Sequence, residues 1–182
     1  MNISEFKYSK ILLSLSIVVL TGVISPIITF GINLGIIFQV IEYLTIWAIC
    51  TAVPVIFFHY AKTRVKFCFK KFGEKTGFCF LPTLISNIIV PFLEKYTTSG
   101  IDNIYEIDQI RQALFNWVVQ ASIFWFIAIP IISFCLFVIL LGYFISRVFK
   151  VSKAIGILFS IPLVLISIAI EFAVQLGLMI II

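Results

Sequence analysis

Residues that do chemistry are scarce in this sequence. There is one histidine, His59, and the four cysteines, Cys50, Cys68, Cys79 and Cys135, show neither CxxC spacing nor a histidine at ligand distance. Structural metal sites depend on such groupings, so no metal is expected, and the cysteines read as small hydrophobes rather than a disulfide framework. HExxH, a nucleophile elbow, a P-loop and aspartates paired at metal-binding distance are all absent, so no catalytic residue and no cofactor are assigned and an enzyme is not expected. Charge is scarce as well: 12% of residues are Asp, Glu, Lys or Arg, against about 25% in soluble domains. So few charges cannot cover a water-facing surface.

What the chain has instead is long apolar runs. Of 182 residues 62% are hydrophobic, 20 of them phenylalanine, and the mean hydropathy is +1.21. A helix needs roughly 20 apolar residues to cross a hydrocarbon core of about 30 Å. Residues 11–31, 36–59, 115–146 and 154–182 meet that requirement, whereas 78–96 is shorter and carries Pro82, Pro91 and Asn87. Lys7 and Lys10 followed by "ILLSLSIVVL" imitate a secretory signal, but no A-x-A-like site follows and the run continues to Phe30, so it reads as an uncleaved first span. No linker interrupts residues 1–182, which are read as one integral membrane domain.

The formal charge of +5 gathers at the ends of the apolar runs, which is how Lys and Arg orient a membrane protein, and nucleic acid is not expected as a partner. If residues 78–96 cross, the lysines at 7 and 10, the cluster 62–75 and the trio Arg147, Lys150 and Lys153 share one side, with only Lys95 and Arg111 opposite. Four spans would move the trio outside. The sequence therefore predicts an all-α polytopic bundle of five transmembrane helices, with four as the alternative, in a bacterial inner membrane with a cytoplasmic N terminus.

Residues 60–77 form a basic cytoplasmic loop in this reading, in which Lys62, Arg64, Lys66, Lys70 and Lys71 would meet anionic lipid headgroups. Residues 97–113 read as a short external amphipathic helix: isoleucines recur at helical spacing, and Asp102, Glu106 and Asp108 offer an acidic face to a partner. Gly31 and Gly35 make a formal GxxxG, but its place at a tight turn favours chain reversal over packing. Pro26, Pro54, Pro82, Pro130 and Pro162 put one proline in each span and predict kinks, with Ser25, Thr51, Ser133 and Ser160 near enough in sequence to bond the freed carbonyls.

Ionisable groups at membrane depth are costly and mark function by default. Glu42 and Glu171 are two such groups; Gln175 falls on the same helical face as Glu171, which should turn towards Asn87, Gln39 or Gln120. No Lys or Arg lies deep in a span to pair with them. In size, basicity and short-looped topology the chain resembles the immunity proteins of pore-forming colicins. That resemblance implies a small non-enzymatic protein working through helix contacts with a membrane partner: an immunity or exclusion protein meeting a toxin or transfer machinery, or an accessory subunit. The alternative is an ion- or proton-coupled transporter or channel subunit using Glu42 and Glu171, with homo-oligomerisation compensating for its small size.

Overall fold

The computed structural model describes residues 3–32, 35–61, 69–99 and 109–181. Its elements are α1 (Ile3–Phe30), α2 (Gly35–Ala61), α3 (Phe69–Thr76), a 3-10 turn (Gly77–Phe80), α4 (Leu81–Ser99), α5 (Gln109–Phe149) and α6 (Lys153–Ile181). Among the described residues, five stretches are long and apolar enough to cross a membrane: Lys10–Thr29, Gly35–Ala61, Phe69–Leu93, Ile127–Phe149 and Lys153–Val174. Helices this apolar are stable only where lipid or other helices surround them. The third stretch is longer than its apolar run suggests, because helical backbone begins at Phe69 and continues through the 3-10 turn into α4.

The spans close into a ring. In spatial order α1 packs on α2, α2 on α6, α6 on α5, α5 on α4, and α4 returns to α1. The turns that allow this are local. Gly31, with φ of 71°, ends α1 and its N–H bonds the Ile27 carbonyl, the left-handed cap that glycine adopts without steric cost. The α5–α6 turn uses Lys150 at φ 53° and the Ser152 hydroxyl, which accepts the Ile155 N–H at 3.3 Å and caps α6.

One end of the ring is filled by α3 and the 3-10 turn, which lie against α1, α2 and α5. Phe72, Thr76, Cys79 and Phe80 are buried there. Phe149 stacks on Phe58 at 4.8 Å between ring centroids and meets Phe72 at 5.2 Å, so α2, α3 and α5 share one aromatic cluster. The glycines that admit α3 are Gly73 and Gly77: the Ser14 hydroxyl donates to the Gly73 carbonyl at 2.8 Å, and a Cβ on Gly77 would lie 2.6 Å from the Ser14 carbonyl oxygen. Here is a GxxxG that packs helices, placed within the segment assigned from sequence to a loop.

Basic residues ring this same end. Lys70, Lys71, Arg147, Lys150 and Lys153 are exposed, and Lys75 sits over the Phe144 ring at 5.2 Å. Lys62, Arg64 and Lys66 lie outside the described residues, as do Asp102, Glu106 and Asp108 of the expected external helix. Residues 109–113, also assigned to that helix, form the first turn of α5.

Proline placement differs from expectation in the third span. Pro82 lies in the first turn of α4, directly after the 3-10 turn, and Pro91 is the proline inside the helix. Pro26, Pro54, Pro130 and Pro162 are inside theirs. The hydroxyls expected to bond the freed carbonyls do other things: Thr51 Oγ1 and Ser133 Oγ have no hydrogen-bond partner among the described residues, and Ser160 donates across the helix pair to the Val138 carbonyl at 2.9 Å. A helical serine or threonine reaches a carbonyl three or four residues before its own, and none of these three stands at that offset from a carbonyl its proline frees. The Ser25 side chain lies outside the described residues.

Candidate functional site

Beyond the plugged end, the ring encloses a cavity of about 390 Å³. Phe80 is its floor, held edge-on against Phe137 at 4.9 Å and Tyr43 at 6.1 Å. Its polar lining comes from four elements: Glu42 and Tyr43 of α2, Thr83, Ser86 and Asn87 of α4, Ser133 of α5 and Glu171 of α6. By helical rise Glu42 lies about 10 Å from the start of α2, and Glu171 about 15 Å from the end of α6. Both therefore fall in the half of the ring away from the basic end.

Each group is placed by packing. The Asn87 amide donates to the Thr21 carbonyl at 2.9 Å and to the Tyr43 hydroxyl at 3.0 Å, tying α4 to α1 and α2. The Tyr43 ring is braced on Phe80, and its hydroxyl is held by the Asn87 amide. Glu171 is 8% exposed and Ser133 6%; Glu171 Oε1 and Ser133 Oγ have no hydrogen-bond partner among the described residues. Glu42 and Glu171 are near enough for their charges to interact, although they come from helices 129 positions apart in the sequence.

The prolines add acceptors. Pro91 and Pro130 both line the cavity, and a proline offers no N–H to the carbonyl four residues earlier. For Pro91 that carbonyl belongs to Asn87, so the same residue presents an amide and a backbone oxygen released from its helix.

The structure thus brings Glu42, Asn87 and Glu171 into one cavity. Gln175 follows one turn after Glu171 on α6, with its side chain outside the described residues, as is that of Gln120. Gln39 is not among the lining residues. Tyr43 and Ser133 were not singled out by the sequence as members of a site. Among the described residues no three His, Cys, Asp or Glu side chains gather as metal ligands. His59 is exposed at the end of α2, edge-on to Tyr60 at 5.6 Å. No family model, curated protein or solved structure matches the chain.

Proposed function

We propose that the chain is a non-enzymatic, multi-pass protein of the bacterial inner membrane, N terminus in the cytoplasm, working as a small ion- or proton-coupled transporter or channel subunit. The observation that carries this reading is that Glu42 and Glu171, from separate spans, line one cavity at bilayer depth. Intramembrane carboxylates mark ion and proton pathways because their cost must be offset by a role. Polar groups that only glue helices together use their hydrogen bonds, as Asn87 does; Glu171 Oε1 has none among the described residues. The basic end favours a cytoplasmic plug, which would turn the cavity towards the outer face.

The test is flux in proteoliposomes of the full chain under an imposed proton or cation gradient. Wild-type protein should dissipate the gradient, and Glu171→Gln should abolish flux while retaining helicity and a monodisperse profile. Glu74→Gln, on α3, should have no effect. Folded wild-type protein that moves neither protons nor cations would overturn the reading.

A second reading places the action on the outer helix faces, as an immunity or exclusion protein or accessory subunit. It is favoured by Phe124 and Trp125, an exposed aromatic pair 5.6 Å apart in the first half of α5, the helix that follows Asp102, Glu106 and Asp108 in sequence. On that reading Glu171→Gln preserves protection of the host cell, and substitutions in residues 99–112 abolish it.

A further inference from the structure

From the cavity we infer the class of its ligand: an organic ammonium with a compact apolar body, its nitrogen between Glu42 and Glu171. The inference rests on the cavity being the working site, as proposed above. Three observations converge on it. The first is size. About 390 Å³ falls within the roughly 300–1,000 Å³ of small-molecule pockets, whereas a bare metal ion needs a shell of oxygens at about 2.0–2.6 Å.

The second is the make-up of the lining. The lining combines the carboxylates of Glu42 and Glu171 with the rings of Phe80, Phe134 and Phe137. A cation with an apolar body satisfies both kinds of group, and aromatic faces attract the positive end as well. The third is the set of unused acceptors. Glu171 Oε1 and Ser133 Oγ are more than nine-tenths buried and unpartnered among the described residues, and both residues line the cavity. A primary ammonium brings three N–H donors and a positive charge to Glu171 Oε1 and Ser133 Oγ.

The ammonium has two possible sources, a soluble amine or the ethanolamine headgroup of a lipid. The experiment is calorimetric titration of the purified full chain in dodecyl maltoside, a neutral micelle without amines, with empty micelles subtracted. The probes are 2-phenylethylammonium and 2-phenylethanol, which match in shape and differ in charge. The ammonium should bind saturably and at least about tenfold more tightly than the alcohol, the ratio worth one charge-assisted hydrogen bond.

Glu171→Gln should remove that preference and Glu74→Gln should keep it. Ser133→Ala, which changes no charge, should weaken binding several-fold and serves if the Glu171 variant fails to fold. Added phosphatidylethanolamine that competes, where phosphatidylglycerol does not, identifies the headgroup as the source; no competition identifies a soluble amine. Equal affinity for the two probes, or no saturable binding, overturns the inference. Flux without ammonium binding would leave the transport reading standing and remove this one; binding without flux would do the reverse.

Discussion

Asn87 and Gly77 show how differently single residues hold this bundle. Asn87 contributes two interhelical hydrogen bonds, and such bonds are worth only about 0.6–2 kcal/mol in membrane proteins because the separated helices find other partners. Gly77 contributes space, and a methyl there would meet the Ser14 hydroxyl and also the Ser14 backbone, which cannot swing aside; overpacking of this kind costs about 1–3 kcal/mol. Gly77→Ala should therefore lower the thermal unfolding midpoint in detergent at least as far as Asn87→Leu does. A smaller loss for Gly77→Ala would mean that α1 and α3 separate easily. Asn87→Leu should also loosen the cavity, because it removes the tie holding the Tyr43 hydroxyl. Glu42, Asn87 and Glu171 are legible in the sequence, since a carboxylate or amide within an apolar run needs a reason. Tyr43 and Ser133 are not: tyrosine and serine are ordinary in membrane helices, and only packing reveals which face they occupy.

At the scale of elements, the third span separates what pattern reveals from what packing decides. Hydrophobic runs place α1, α2 and α6 within a few residues to a turn or two of their ends, because each is one long apolar stretch. The segment before residue 78 is basic and glycine-containing, and by composition it reads as a loop. It is helical because Phe69, Phe72 and the glycine pair Gly73 and Gly77 face the bundle while Lys70 and Lys71 face outward, an amphipathic pattern only eight residues long. Isolated helices that short are unstable, so α3 depends on its tertiary contacts. Phe72→Ala should then cost about 3–5 kcal/mol, the range for emptying a buried phenylalanine site. Hydrogen exchange should show α3 and the 3-10 turn losing protection before α2 or α6. Uniform loss across all spans would instead make the plug part of a single cooperative core. The prolines teach a related lesson: pattern places one in each span, yet the choice between Pro82 and Pro91 follows from where the helix starts, a matter of tertiary contact.

For the whole molecule the question is which way the ring faces. The plugged end carries Lys70, Lys71, Arg147, Lys150 and Lys153, while the cavity lies beyond the plug, between the first half of α2, residues 83–91 of α4 and the stretch 164–171 of α6. A chain inserted with that end in the cytoplasm keeps its basic groups on the side where lysine and arginine are retained during insertion. Reversed insertion would carry all of them across and turn the plug outward. The prediction follows on a cysteine-free background with single substitutions Thr98→Cys, Asp108→Cys and Lys153→Cys, treated in intact cells with a membrane-impermeant thiol reagent. Labelling is expected at positions 98 and 108 and not at 153. Removing the native thiols should be tolerated unevenly, since Cys50 and Cys79 are fully buried and Cys135 is exposed; alanine or serine at the first two leaves space or a hydroxyl inside the ring. Labelling only at 153 would put the cavity on the cytoplasmic side, and a ligand would then have to come from within the cell. On the proposed reading, orientation decides whether a cation would be taken up from outside or collected from the cytoplasm.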